Sequence, residues 1–298
     1  MDKITNKIAE ELNVKSTQVE NAIKLIDEGN TIPFIARYRK EATGGLSDEI
    51  LRNLGERLNY LRNLETRKEE IIKSISEQGK LTDELTVAIA SAETLAEVED
   101  LYRPFKQKKK TRATVAKAKG LEPLADIILA QKEETPIEQL AKQYINIDSL
   151  SDEDKANKDK VVASVDNAIQ GALDIIAENI SDNAKYRKYI KKVCYRESTI
   201  TTKASKPDEK SNYEMYYDFS ELVYKLPSHR ILAINRGEKE DFLKVSIDKP
   251  ESKILYYMQK DIIQGKTQFT EMLENTILDS YKRLIEPSIE REIRSDLT

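Results

Sequence analysis

The sequence predicts a mainly α-helical protein, a multi-helix assembly with helix-turn-helix-like elements, a long helical arm and at most a minor β element. Three observations carry this. Charged residues make up 34% of the 298 residues, against only nine Gly and eight Pro, the balance of helices with wide polar faces. Leu51, Leu54, Leu58 and Leu61 recur at three- and four-residue steps, the spacing of one helix face. Strand-like alternation is confined to STITTK near residue 200 and LKVSID at 243–248.

In chain order, residues 3–12 form a short helix, NVK a turn, and Thr17 to Glu20 a capping box opening a second helix that ends at Gly29. This helix-turn-helix outline is more often plain helical packing than a reader of DNA. After Gly44 and Gly45, Ser47 caps a long helix, with Asp48 and Glu49 where the helix dipole favours negative charge. Its leucine stripe resumes at Ile72 and Ile75 after the charged Glu65 and Lys68, which suggests a helical hairpin arm. Gly79 stops it, a shorter helix starts at Asp83, and Thr94 to Glu97 boxes another that Pro104 ends. A short helix then closes near Gly120, and Thr135-Pro136 with Glu138 opens the next. A long helix runs from Asp152 through Val161, Val165, Ala168, Ala172, Ile176 and Ile180, with Asp152, Glu153 and Asp154 in its first turn. KASKPDEK, residues 203–210, is the best linker, dividing the chain into 1–202 and 203–298. Tyr213, Tyr216, Tyr217, Val223 and Tyr224 predict an aromatic helix, followed by one that Ser228 caps and Gly237 closes. From Lys253 the pattern is helical again.

Charge is unevenly spread. The net charge is −4, yet Arg103, Lys106, Lys108, Lys109, Lys110, Arg112, Lys117 and Lys119 form one acid-free run, and Lys185, Arg187, Lys188, Lys191, Lys192 and Arg196 a second. Setting these fourteen cations apart leaves the rest at −18. Such runs can neutralise phosphates and release their counterions, or be solvated faces that only aid solubility.

The segment TIPFIARYRKEATGGLSDE at 31–49 sets Arg37, Tyr38, Arg39 and Lys40 beside Phe34 and Ile35. It reads either as a nucleic-acid surface or, preferred here, as a structural clasp in which Ile32, Phe34 and Ile35 are buried and the arginines bridge carboxylates. In SHRILAINRGEKE a structural role is likewise preferred: Ser228 caps, His229 sits in the first turn, and Arg230 and Arg236 pair with acids. One Cys, Cys194, and one His, His229, leave no disulfide framework and no Cys/His set for zinc. Cys194 reads as a small buried side chain. No Gly-rich phosphate loop of the G-x-x-x-x-G-K-[ST] kind occurs, so nucleotide hydrolysis has no support; no cofactor, metal or small-molecule substrate is expected. The N-terminus lacks the apolar core of a signal peptide and no stretch approaches membrane-spanning length, which points to the cytoplasm.

Four ordered segments carry a family resemblance: the one at 31–49, LAEVEDLYRPFKQKKKTRATVAKAKGLEPLA from Leu95, AIQGALDIIAENISD from Ala168, and YEMYYDFSELVYKLPSHRILAINRGEKE from Tyr213. Together they resemble the N-terminal and central region of the Tex family of bacterial transcription accessory proteins. That family carries further an RNase H-like YqgF domain, helix-hairpin-helix elements and a C-terminal OB-fold that binds RNA. The chain lacks segments resembling these, and its closing amphipathic helix has no Gly cap, so it is expected to be an N-terminal fragment truncated before the YqgF domain. The resemblance implies a non-enzymatic scaffold that assists nucleic-acid binding. The expected contacts are Arg103, Lys106, Lys108, Lys109, Lys110, Arg112, Lys117, Lys119, Lys188, Lys191 and Lys192, touching RNA or DNA phosphates without reading sequence. The alternative is a helical module docking RNA polymerase or other transcription proteins.

Overall fold

A computed structural model describes residues 3–106, 110–148, 151, 157 and 159–297. Two compact units divide the chain, Met1–Tyr102 and Arg103–Thr298. KASKPDEK therefore lies within the second unit, where it completes one strand and leads to the next.

The first unit is all helical: α1 Lys3–Leu12, α2 Ser16–Asp27, α3 Ile32–Tyr38, α4 Asp48–Glu77, α5 Asp83–Ser91 and α6 Leu95–Tyr102. Its axis is α4, against which each of the other five packs. Ser47 Oγ accepts the Ile50 amide at 3.2 Å, so the expected cap is present. The buried stripe runs Leu51, Leu54, Leu58, Leu61, Leu64 and then Lys68, Ile71 and Ile75. Ile71 replaces the expected Ile72, because Lys68 does not interrupt the stripe but belongs to it. Its stem is buried and its ammonium donates to Glu65 Oε1 at 2.8 Å and to the Ala90 carbonyl at 3.1 Å.

One start signal shifts, and another holds. α2 begins at Ser16, and it is Gln18 whose side chain accepts the Lys15 amide at 3.1 Å, in place of a Thr17–Glu20 box. Gly29, at φ 86°, closes α2 with the Asn30 amide on the Leu25 carbonyl at 3.2 Å, the left-handed stop that a Gly permits. At α6, Thr94 Oγ1 accepts the Glu97 amide at 3.2 Å and Glu97 reaches back to the Glu93 amide at 2.9 Å.

The second unit is helical around one small sheet: a 3₁₀ turn at Arg103–Phe105, then α7 Arg112–Ala118, α8 Glu122–Ala130, α9 Ile137–Lys142, α10 Val165–Asp182, α11 Ala184–Glu197, β1 Thr199–Ala204, β2 Asp218–Leu222, α12 Ser228–Lys239, β3 Leu243–Asp248, α13 Glu251–Ile262, α14 Thr270–Asp279 and α15 Glu286–Leu297. The sheet has order β2-β1-β3, antiparallel throughout, with Thr199 opposite Leu222 on one side and Asp248 on the other. α10 is central: α7, α8, α9, α11, α14 and the π-helical turn Ser280–Ile285 all pack on it. Ala168, Ala172, Ile175 and Ile176 form its buried face.

Here too several expectations change. α10 starts at Val165, capped by Ser164 Oγ on the Asn167 amide at 3.2 Å, not at Asp152; Asp152, Glu153 and Asp154 lie outside the described residues. α9 starts at Ile137 with Pro136 as its cap residue, because Glu133 takes the Thr135 amide at 3.1 Å. No aromatic helix forms at 213–224. The segment pairs with β1 as β2 between short 3₁₀ turns at Glu214–Tyr216 and Val223–Lys225, and its rings pack as pairs, Tyr216 with Phe219 and Tyr213 with Phe242. Cross-strand pairing overrode a helical reading of spacing. Gly237 does not close α12. It is buried inside the helix, where a Cβ would meet Leu243 Cδ1 at 2.7 Å, so its role is close packing against β3.

Candidate nucleic-acid interface

The first basic run starts at the 3₁₀ turn. Arg103 faces the nearly buried Asp182 at 3.3 Å, which fixes the entry of the segment to the end of α10. Lys106 and Lys117 line an open cleft of about 440 Å³ with Glu178, Asp182 and Asn183. Lys108 and Lys109 lie outside the described residues, and Lys110 is ion-paired with Asp159.

α7 then begins with a reciprocal box: Thr111 Oγ1 accepts the Thr114 amide at 3.0 Å and Thr114 Oγ1 the Thr111 amide at 2.8 Å. Thr111 also donates to Glu178 of α10 at 3.0 Å. Ala113 and Ala116 are the buried side of α7. They come close to α10 because position 171 is Gly: a Cβ there would lie 2.4 Å from Leu121 Cδ1 and 3.4 Å from Ala116 Cβ. Arg112 is exposed and Lys119 half-buried, and neither has an ion pair among the described residues. Lys117 faces Glu122 at 3.5 Å. Arg112 and Lys119 flank an open groove of about 620 Å³ with Lys110, Asn167, Gln170 and Asp174. Burial pushes the Asp174 carboxyl above its usual value of 3.8, against the pull of Arg283 and Arg112. The groove therefore carries cations on its rim, and one of its lining carboxyls, Asp174, also faces Arg283 at 3.5 Å.

The second run lies on α11, and acids distant in sequence meet it. Lys185 donates to Asp261 at 2.6 Å, and Tyr186 OH to the same carboxylate at 2.7 Å. Arg187 is wholly buried, bonded to Glu292 and, at 3.1 Å, to Ser288 Oγ. Lys191 lies 3.5 Å from Glu292 and 3.3 Å from Asp296. The run is acid-free along the chain but not in space, because α13 and α15 supply what α11 lacks. Lys188, Lys192 and Arg196 are exposed.

The clasp expected at 31–49 does not form. Of Ile32, Phe34 and Ile35 only Ile35 is fully buried; Ile32 is half-buried, Phe34 is 37% exposed and Tyr38 66%. Arg37, Arg39 and Lys40 are exposed and make no ion pair among the described residues. Arg39 lies over the Phe34 ring, 5.6 Å from its centroid. The i, i+4 spacing of Phe34 and Tyr38 was the available signal that both rings share a face.

At the α12 start, Pro227 is the cap residue and Ser228 makes no capping bond. Pro227 is extended, at φ −75° and ψ 150°, and the helix begins at Ser228, one residue earlier than a Ser228 cap would place it. His229 is exposed in the first turn. Arg230 donates to Glu221 of β2 at 2.5 Å, and Arg236 is exposed without an ion pair among the described residues. Cys194 is wholly buried, and burial raises its thiol pKa. Among the described residues no group of three or more His, Cys, Asp or Glu is disposed to hold a metal, and no helix is long and apolar enough to cross a membrane.

Against known families, the Tex-like protein N-terminal domain matches residues 2–76 and the Tex central region-like family residues 132–298. The chain belongs to the Tex family. Among its relatives, the uncharacterized protein YdcI of Bacillus subtilis is 48% identical over 299 residues, covering 99% of this chain and 40% of that protein. The transcriptional accessory protein Tex of Neisseria gonorrhoeae is 40% identical over 246 residues, 82% of this chain and 31% of the relative. The S1 RNA-binding domain-containing protein 1 of Pongo abelii is 30% identical over 310 residues, 99% of this chain and 30% of the relative. The chain thus spans at most about two fifths of the length of these Tex relatives. The run from Arg103 to Lys119 falls between the two family matches.

Proposed function

We propose that this chain is a helical scaffold segment of a Tex-like transcription accessory protein that contributes sequence-nonspecific nucleic-acid binding, acts without catalysis, and works in the cytoplasm. The observation that carries the reading is the pair Arg112 and Lys119, open on the rim of the α7 groove while Arg103, Lys110 and Lys117 face acids. Cations held on a helix that Gly171 seats against α10 meet phosphates at fixed positions, with no base contact. The names of two relatives, one a transcriptional accessory protein and one containing an S1 RNA-binding domain, fit this role. Reversing both charges, Arg112→Glu with Lys119→Glu, should weaken binding to RNA and DNA and flatten the log–log salt dependence by about two counterions. Unchanged affinity at low salt in a fluorescence anisotropy titration would refute the groove.

A second reading, docking of RNA polymerase or another transcription protein, is favoured by large apolar side chains left open in the second unit, notably Met215 at 73% and Leu232 at 58% exposure. In that case the partner captured by the chain survives nuclease treatment.

A further inference from the structure

We propose that the open face of α3, built from Phe34, Arg37, Tyr38, Arg39 and Lys40, is a stacking site for an unpaired nucleic-acid strand. Its residues belong to the first compact unit, and those of the α7 groove to the second.

The first unit treats its arginines in two ways. Those of α4 are all ion-paired: Arg52 with Asp48, Arg57 with Glu11, Arg62 with Asp27, and Arg67 with Glu70 and Glu99. Arg37 and Arg39, with Lys40, have no acid in salt-bridge range among the described residues. Glu41 is the one acid in the stretch 31–45. Against these cations stand two rings with centroids 5.2 Å apart. Single exposed aromatics are ordinary, but a pair of rings among three unpaired cations is a defined chemistry.

The backbone beneath this face is held. Ile35 anchors α3 in the core and Thr43, also wholly buried, donates to the Lys40 carbonyl at 3.1 Å. Two side chains of α2 hold the following turn: Asn21 donates to the Ala42 carbonyl at 3.0 Å and Gln18 to the Gly44 carbonyl at 2.8 Å. Gly44 and Gly45 adopt φ 65° and 84°, and a Cβ on Gly44 would meet Gln18 Nε2 at 3.0 Å. A face carried on so constrained a turn binds with little ordering cost.

This chemistry selects its ligand. Every base has a π-face that stacks on an aromatic ring, while phosphates follow the cations. Paired bases in a duplex keep their faces inside the stack, and an acidic peptide matches the cations but not Tyr38. The strand that satisfies both halves is unpaired RNA or DNA.

The test uses the full chain and anisotropy with three fluorescein-labelled probes: a short oligouridylate, a hairpin duplex and an oligoglutamate of equal charge. The unaltered chain should prefer the oligouridylate. Tyr38→Ala should weaken that binding about tenfold, Tyr38→Phe should retain it, and Arg37→Glu with Arg39→Glu should weaken it with the helical circular dichroism unchanged. Equal binding of the oligoglutamate or of the duplex by the Arg112→Glu, Lys119→Glu chain, in which the groove is disabled, or no loss on Tyr38→Ala, overturns the proposal. The groove variant distinguishes the two sites: loss on Arg112→Glu with Lys119→Glu but not on Tyr38→Ala leaves the groove standing and removes this site, and the reverse result does the opposite.

Discussion

Arg187 decides whether the α11 run is a binding surface or an internal brace, and Arg187→Met separates the two. The arginine is wholly buried and bonded to Glu292 and to Ser288 Oγ. Removing one partner of a buried pair costs about 3–5 kcal/mol, chiefly through the charge left behind. The Glu292 side chain retains 30% exposure and has Lys191 at 3.5 Å as a second cation, so its charge is not stranded and the lower end, about 3 kcal/mol, is expected. Met preserves most of the bulk, which keeps the cavity contribution small. Urea unfolding followed by far-ultraviolet circular dichroism should record this loss. The double variant with Glu292→Gln should lose less than the sum of the singles, because the two residues act on each other. A loss below about 1 kcal/mol, the value of an exposed pair, or lost nucleic-acid affinity at unchanged stability, would refute the brace.

Two further outcomes follow from packing and charge. Gly171→Ala should destabilise the second unit by about 1–2 kcal/mol, since the clash with the buried Leu121 exceeds the gain of about 1 kcal/mol from helix propensity. Gly55→Ala in α4, where the added methyl meets only the side chain of Ile32, its Cδ1 at 3.0 Å and its Cγ1 at 3.5 Å, should be neutral or stabilising by up to about 1 kcal/mol in the same assay. Lys185 first, and Tyr186 second, hold the Asp261 carboxyl below its ordinary 3.8. A depressed carboxylate contributes stability that is present above the unfolded value of 3.8 and is lost as pH falls through the lower folded value. The melting temperatures of the native chain and Asp261→Asn should therefore differ at neutral pH and converge in acid; a constant difference across that range would contradict the assignment.

The fold was legible wherever a short-range rule governed it. The leucine stripe, the Ser47 cap, the Gly29 stop and the two strand segments β1 and β3 follow from spacing and local chemistry. What escaped depended on distant partners. Lys68 read as a break because its acceptor, the Ala90 carbonyl, belongs to another helix. The segment 213–224 read as a helix because nothing local reveals that β1 pairs with it. The α11 run was visible as charge, but not its neutralisation by Asp261, Glu292 and Asp296. The motif at 31–49 was legible as important residues in a row. Which of them turn inward was not, since a short helix seated on Ile35 and, in part, Ile32 leaves both rings outside.

One last consequence belongs to α4. At 30 residues and about 1.5 Å per residue it extends roughly 45 Å, and five shorter helices lean on it like ribs on a keel. Ribs of seven to twelve residues are too brief to persist unaided. Their order is borrowed, so the first unit opens as a single cooperative body when its keel gives way.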